Sequence, residues 1–308
     1  MNLKKTKFWD FEKPNLIAYI LLPFAVVLQY LNNFFKRNDP FKFKIKTVCV
    51  GNIYIGGTGK TSLSIQINKI LNKKNIKTCF VKKFYIDQAD EQKLLEKEGK
   101  LFLAKTRFEA IQKAEKENYE FAILDDGLQD PSIKYDFNLV CFNTLNWKGN
   151  GLTIPAGPLR ESINNLKNYN HVFLNGNLEN IDYLKDEIQK INSEIKIHFG
   201  KYEPINLGEF NKTEKYFVFA GLGNHKTFIK MLSNYGLDII ENIEFPDHYN
   251  YKSNDIEKII SRAKKLNAKI LTTEKDYLRL NKKYLEEIKF IEVELKIIEE
   301  NKFIETIL

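Results

Sequence analysis

A chain of 308 residues, 43% of them hydrophobic, can bury the cores of two ordinary domains, which excludes a disordered or low-complexity protein. Three cysteines, Cys49, Cys79 and Cys141, lie in apolar runs without a C-x-x-C pair, which excludes a disulfide scaffold and reads as buried thiols in a reducing compartment. The formal charge of +8, from 48 Lys+Arg against 40 Asp+Glu, suits an anionic partner such as phosphate or an acidic membrane face, while nucleic acid has nothing but this surplus in its favour and is not expected.

Residues 14–35 carry no charge, with Lys4, Lys5, Lys7 and Lys13 before them and Lys36, Arg37, Lys42, Lys44 and Lys46 after. A spanning helix needs about 20 largely apolar residues. This run reaches that length only by including Gln29, Asn32 and Asn33, and Pro23 interrupts it. The expectation is a monotopic helix lying among lipid headgroups, with Trp9, Tyr19, Tyr30 and other aromatics at the interface and the lysines favouring anionic lipid. A spanning helix and a helix packed on the following domain are the alternatives.

The β-type run Val48-Cys49-Val50 leads into Gly51-Asn52-Ile53-Tyr54-Ile55-Gly56-Gly57-Thr58-Gly59-Lys60-Thr61, and a helical pattern follows through Leu63, Ile67, Ile70 and Leu71. Strand, glycine loop, Lys-Thr and helix make up a phosphate-binding loop. Glycines let the backbone wrap a polyphosphate, and the helix N-terminus adds partial positive charge. Gly56, Gly57, Thr58, Gly59, Lys60 and Thr61 are the expected ATP-binding residues, Lys60 reaching the β- and γ-phosphates and Thr61 ligating Mg²⁺. The first glycine of Gly-x-x-x-x-Gly-Lys-Ser/Thr is Tyr54 here.

A βα rhythm continues: strand 78–81, a polar segment with Asp90 and Glu91 entering a helix at Leu94, a short strand at 101–103 and helix 106–117. Phe121-Ala122-Ile123-Leu124-Asp125 has the Walker B form, in which a buried strand delivers a carboxylate to hold Mg²⁺. Asp126 follows, able either to orient metal or nucleophile or to make a tight turn with Gly127. After strand 137–142 comes a long Gly/Pro/Asn loop, 149–162, in which Pro158 opens a helix carrying Arg160 and Glu161 in its first turn. Arg160 fits phosphate neutralisation or a surface ion pair.

The chain reads as irregular from about 165 to 210, with short strands at 171–174 and 195–199 and a linker at 201–210. A second α/β unit follows: strand 216–221, helix 225–235, strand 237–242, helix 253–265, strand 268–273, helix 274–283 and strand 289–295. The expected domains are an N-terminal segment 1–46, a phosphate-loop domain 47–168 and a second domain 169–308 with linker strands. Their cleft is the expected place for a nucleotide and a second substrate. Thr273 either contacts the nucleotide or caps the helix begun by Glu274, and His248 sits in the dense polar run Phe245-Pro246-Asp247-His248-Tyr249.

Asn52-Ile53 with Gly56-Gly57-Thr58-Gly59-Lys60-Thr61, then Asp90-Glu91, Asp125-Asp126-Gly127-Leu128-Gln129, Gly157-Pro158-Leu159-Arg160-Glu161, Phe219-Ala220-Gly221-Leu222-Gly223-Asn224, Phe245-Pro246-Asp247-His248-Tyr249 and Leu271-Thr272-Thr273-Glu274-Lys275-Asp276 together resemble the tetraacyldisaccharide 4'-kinase family, over essentially the whole chain. The family's Gly-Asp-Glu-Pro reads Ala89-Asp90-Glu91-Gln92, its Ser-Arg-Gly-Tyr reads Lys82-Lys83-Phe84-Tyr85, and a proline after Gly-Asn is His225. The resemblance implies a P-loop NTPase-like α/β/α domain, a smaller α/β/α domain and a membrane-associating N-terminal helix, on the cytoplasmic face of the bacterial inner membrane. It implies ATP and Mg²⁺ as cofactors and tetraacyldisaccharide 1-phosphate as acceptor. Asp90 would be the base, supported by His248; Arg160 would neutralise charge; Asp126, Glu91 and Glu161 would arrange metal or substrate. The rival class is a membrane-associated nucleotide switch or partition-type ATPase, but those carry a lysine where Ile55 stands.

Overall fold

The structure, a computed structural model, describes residues 6–35, 39–85, 89–179, 181–246 and 249–308. Two compact units emerge: residues 1–200 with 297–308, and residues 201–296. The first unit therefore extends past the expected boundary at residue 168, because the strands that follow complete its sheet.

The first unit is built on a sheet whose strands are β1 (Lys46–Gly51), β2 (Thr78–Lys83), β3 (Leu101–Ala104), β4 (Phe121–Asp125), β5 (Phe137–Asn143), β6 (His171–Asn175) and β7 (Lys196–Pro204), in the order β7-β6-β5-β1-β4-β2-β3. The pairs from β7 across to β3 are parallel. A parallel sheet covered on both faces needs strands that are apolar throughout, and Val48, Cys49, Val50 and the whole of β4 are buried. On one face Cys49, Cys79, Val81 and Leu124 pack against Ala110, Ile111 and Ala114 of α4 (Arg107–Lys116). Farther along the same face, since Cys49 aligns with Asn138 of β5, Val140, Phe142, Val172 and Leu174 pack against Leu184 and Ile188 of α5 (Asp182–Ile191). All three cysteines are free and buried.

The helix α5 falls in the stretch read as irregular. Ile181, Leu184, Ile188 and Ile191 form its apolar stripe, and full burial of a leucine or isoleucine contributes roughly 1.5–3 kcal/mol, which is what holds so short a helix in place. The helix expected from Pro158 is absent. Residues 158–160 instead run beside the phosphate loop: Leu159 bridges Tyr54, and the Arg160 amide donates to the Ile53 carbonyl at 2.6 Å. Helical structure resumes as a 3₁₀ turn, Ile163–Asn168, capped by the Ser162 side chain.

The N-terminal helix α1 (Leu16–Phe35) carries Pro23 inside it. Ala18 and Ala25, seven residues apart and so on one face, are fully buried, and Gln29 Nε2 donates to the Arg160 carbonyl at 2.9 Å. Just before it, Trp9 Nε1 donates to the Pro155 carbonyl at 3.1 Å and Asp10 accepts from the Tyr54 hydroxyl. Leu16, Ile20, Phe24, Val27 and Tyr30 remain exposed. Among the described residues, no helix is long and apolar enough to cross a membrane.

The second unit has a parallel sheet of β8 (Lys215–Ala220), β9 (Asp238–Glu244), β10 (Lys269–Thr273) and β11 (Ile288–Ile291) in the order β11-β10-β8-β9. Alternate residues of β8 face opposite ways. Val218 and Ala220 meet Phe228, Met231 and Leu232 of α6 (His225–Asn234), whereas Phe217 and Phe219 meet Ile256, Ile259 and Ile260 of α7 (Ser253–Lys265). The expected helix 274–283 is the single turn α8 (Glu274–Tyr277), and the expected strand 289–295 is divided at Glu292 between β11 and β12 (Val293–Ile297). The C-terminal helix α9 (Glu300–Ile307), not foreseen in the sequence, buries Phe303, Ile304 and Ile307 on the first unit.

Candidate active site

Parallel register places the chemistry at the carboxyl ends of the first unit's strands. Val50 of β1 pairs with Asp125 of β4, so the strand tip carrying the carboxylate lies beside the point where the glycine loop leaves the sheet. The loop closes on Asn52, which is fully buried. Its Nδ2 donates to the Tyr54 carbonyl at 2.6 Å and to Thr58 Oγ1 at 2.9 Å, while its Oδ1 accepts from Lys60 Nζ at 3.2 Å. From the other side, Asn175 at the tip of β6 donates to the Thr58 carbonyl at 2.7 Å. Gly59 has φ 81°, a left-handed conformation that lets the chain turn directly into α2 (Lys60–Lys73). Lys60 and Thr61 thus occupy the helix's first turn, where N–H groups and dipole favour anions.

The Thr61 hydroxyl donates to Asp125 Oδ2 at 3.2 Å. Asp125 is buried and its Oδ1 has no hydrogen-bond partner. The next residue, Asp126, has φ 67°, which aspartate tolerates better than most side chains, and its amide donates to the Val50 carbonyl at 2.9 Å. That turn aims its carboxylate at two cations. Arg160 Nη1 lies 2.9 and 3.0 Å from its two oxygens, and Lys60 Nζ is 3.7 Å from Oδ2. Burial alone would push the Asp126 carboxyl up; Lys60, Arg160 and Arg107 beside it hold it well below the usual carboxylate range. A side chain at Gly127 would bring its Cβ to 2.9 Å from the Tyr135 hydroxyl, so the turn also demands that glycine.

Arg160 is held by its neighbours. Glu161 accepts from Gln129 Nε2 at 2.9 Å, Asn165 Nδ2 at 2.7 Å and the Tyr169 hydroxyl at 2.9 Å, and Gln129 also donates to the Asn52 carbonyl at 3.1 Å. Glu161, expected to help arrange metal or substrate, thus ties the arginine's loop to the phosphate loop. Arg107, at the start of α4, donates from Nε to the Asp126 carbonyl at 2.7 Å and pairs with Asp130 at 3.4 Å. Tyr85, Arg107, Asp126, Gly127, Gln129, Asp130, Pro131 and Arg160 line a polar hollow of about 480 Å³.

Lys82, at the C-terminal end of β2, is almost wholly buried. Its Nζ donates to Asp125 Oδ2 at 2.7 Å and to Glu91 Oε2 at 2.6 Å. Burial would lower its pKa, but the two carboxylates outweigh it and the ammonium is held above its ordinary value. Glu91 belongs to α3 (Ala89–Glu98).

The structure therefore gathers Gly56, Gly57, Thr58, Gly59, Lys60, Thr61, Asp125, Asp126, Glu91, Arg160 and Glu161 within the first unit. Asp90 lies in α3, with its side chain outside what the structure describes, and His248 with Asp247 falls outside the described residues. Thr273 is in the second unit, where the capping alternative is realised: its Oγ1 accepts from the Asp276 amide at 3.1 Å and donates to Asp276 Oδ2 at 2.8 Å. Asp276 Oδ2 also accepts from the Gly221 amide at 3.0 Å. Among the described residues, no three His, Cys, Asp or Glu side chains form a metal cluster. Sequence reasoning left Lys82, Arg107 and Asn175 out of the site. A polar residue ending a buried strand was the available signal for Lys82 and Asn175, as it was for Asp125; Arg107 reads only as a helix start after its Thr106 cap.

Comparison with known proteins agrees with this geometry. The family model for tetraacyldisaccharide-1-P 4'-kinase matches residues 17–98 and 86–308. A tetraacyldisaccharide 4'-kinase of Pelagibacter ubique (strain HTCC1062) is 55% identical over 295 residues, covering 96% of this chain and 94% of the relative. One from Rickettsia felis is 35% identical over 295 residues, covering 89% and 88%. In fold the chain is similar to the kinase of the same name (LpxK) from Aquifex aeolicus, crystallised in complex with ATP, with TM-score 0.68 at 22% identity over 95% of this chain and 99% of that one. The phosphate loop, the Asp125-Asp126 strand tip and the match along nearly the full length lead to one assignment: the chain belongs to the tetraacyldisaccharide-1-P 4'-kinase family.

Proposed function

We propose that the chain transfers the γ-phosphate of ATP to the 4'-hydroxyl of a tetraacyldisaccharide 1-phosphate, the lipid kinase step that gives lipid IVA in lipid A biosynthesis. The observation that carries this reading is the meeting of Thr61 with Asp125 at 3.2 Å beside Lys60, in a chain of this family. The donor set fits Mg²⁺. Asp125 Oδ1 is buried without a partner, next to a threonine hydroxyl, and Mg²⁺ takes one or two carboxylates together with nucleotide phosphates. When bound, Mg²⁺ supplies charge neutralisation at the phosphate oxygens.

The chain's own residues do the rest. The loop amides of Gly56 to Thr61 and the Lys60 ammonium would cradle the β- and γ-phosphates, and Arg160 would face the charge that develops on the transferred group. Asp126 holds both cations in place. A sugar hydroxyl attacks only as its proton leaves, and Asp90 would take that proton at a carboxylate oxygen with His248 supporting it. Glu91 would position the start of the helix that bears Asp90. The polar hollow between Arg107 and Arg160 is of a size to admit a sugar headgroup.

The exposed apolar residues of α1 support attachment to an anionic inner-membrane surface without crossing it, which would keep the acyl chains in lipid while the headgroup enters the site. Radiolabelled ATP with the acceptor in mixed micelles tests the function: the kinase gives labelled lipid, whereas a nucleotide switch gives only free phosphate. Asp90→Ala should keep ATP affinity while turnover collapses by about 10²–10⁴-fold; normal turnover in that variant would remove Asp90 as the base.

A further inference from the structure

The Lys82 ammonium lies between the strand-tip carboxylate Asp125 and Glu91, at 2.7 and 2.6 Å. Three features make this more than an ion pair. The amine is enclosed, with 2% of the residue exposed. It shares Asp125 Oδ2 with the Thr61 hydroxyl, so two donors load one oxygen while Oδ1, buried, has no hydrogen-bond partner. And it joins β2 and β4 to the first turn of α3, the helix that carries Asp90.

We propose that Lys82 is a positioning residue that serves as the metal site's internal counter-ion. It neutralises Asp125 and Glu91 when no nucleotide is bound, holds Asp125 through Oδ2 so that Oδ1 is left without a donor as the ligand, and makes the site a weak binder of free divalent cation. Asp125 and Thr61 would then hold Mg²⁺ only together with a polyphosphate, whose oxygens would supply the negative charge that Lys82 has cancelled on the carboxylates. The inference rests on the reading of Asp125 and Thr61 as magnesium ligands. Its physical basis is charge: without the ammonium, the buried Asp125 carboxylate and the partly exposed Glu91 carboxylate, which both contacted one amine nitrogen, face each other, the arrangement a divalent cation would fill.

The test is Mn²⁺ binding to the full chain without nucleotide, followed by electron paramagnetic resonance of the free ion, for the wild type, Lys82→Met, Lys82→Gln and Lys82→Arg. Partners behind a metal ligand commonly change metal affinity by about 10–100-fold. Lys82→Met and Lys82→Gln should bind Mn²⁺ at least about tenfold more tightly than the wild type, and Lys82→Arg, which keeps the charge, should stay near wild type. Thermal midpoints should fall for the two neutral variants in chelator and recover on adding Mn²⁺, a rescue that a purely structural lysine would not show. Glutamine keeps hydrogen-bonding capacity, so it serves if the methionine variant does not fold. Mn²⁺ affinity unchanged or weakened in the folded neutral variants, with midpoints that Mn²⁺ does not restore, overturns the proposal. The wild type's yield of labelled lipid reports on the kinase reading separately, so either can fail without the other.

Discussion

Arg160→Ala separates what the arginine does for the fold from what it does for the reaction. Its Nη1 contacts both Asp126 oxygens at 2.9 and 3.0 Å, with side chains 30% and 24% exposed. Hydrogen bonds to charged groups contribute about 1.5–3 kcal/mol when well buried. Partial solvent screening brings this pair to roughly 1–2 kcal/mol, and Lys60 remains at 3.7 Å to share the Asp126 charge. For a unit of this size that is a thermal midpoint lower by about 2–8 °C. Losing a donor that faces transferring charge costs more, about 3–4 kcal/mol, or some 10²–10³-fold in kcat. The assay is initial rate of labelled-lipid formation at saturating ATP, corrected for folded fraction by a denaturant curve. Arg160→Ala combined with Asp126→Asn sharpens it, since removing the carboxylate's charge together with the guanidinium should return part of the lost stability without restoring turnover. A single variant within about threefold of wild-type kcat, or a double variant that recovers both quantities, would refute the phosphate-facing role.

Asn52→Leu should lower stability by about 1–3 kcal/mol, since it unpairs the Lys60 amine and the loop groups that Asn52 joins, and should raise KM for ATP roughly tenfold; chemical denaturation and an ATP titration check both. Burial pushes His171 and His198 down to about 4, and their Nδ1 and Nε2 lie 3.1 Å apart. The unfolded chain binds protons at these sites from about pH 6.5 downward and the folded chain does not until about 4, so stability falls as pH drops through that window, and His198→Phe should flatten the thermal midpoint there. Replacing Leu16, Ile20, Phe24 and Val27 by serine should abolish flotation with anionic vesicles while activity on detergent-dispersed acceptor stays within about threefold; retained flotation would rule out this face as the anchor.

The strand–loop–helix start of the first unit was legible because β1, α2 and β4 are each specified locally, by a buried apolar run or a 3.6-residue stripe. Element ends were less so. Leu278 and Leu280 extend the pattern of α8, but the Asp276 side chain turns inward to Thr273 and Gly221, and Asn281 caps a new turn three residues on from Leu278. Pro158 could open a helix by its own φ preference, yet Arg160 and Leu159 are claimed by Ile53 and Tyr54, more than a hundred residues earlier. Lys82 was visible only as a polar residue at the end of a buried strand. Its pairing with Asp125, 43 residues away, depends on β2 lying beside β4, a neighbour relation that no local stretch encodes.

The site's charges balance before any ligand arrives. Lys60, Lys82, Arg107 and Arg160 each have a carboxylate within 3.7 Å, supplied by Asp126, Asp125 or Glu91, Asp130 and Asp126 respectively. Long cationic side chains lose roughly 0.5–1.5 kcal/mol of rotamer entropy each when a ligand orders them, and here folding has already ordered them. On the function proposed above, a triphosphate would meet a set of cations fixed in direction and would compete with Asp126 for Arg160 and Lys60. Asp126 is well placed to lose that competition without harm. It sits on a turn that its own backbone fixes, through Val50 and Arg107, so its position survives the loss of its carboxylate's partners. Asp125 differs in being a strand residue whose second oxygen is kept open. The division of labour between adjacent aspartates follows from one change in backbone, extended at Asp125 and left-handed at Asp126, which turns their carboxylates to different partners: one toward Thr61 and Lys82, the other toward Arg160 and Lys60.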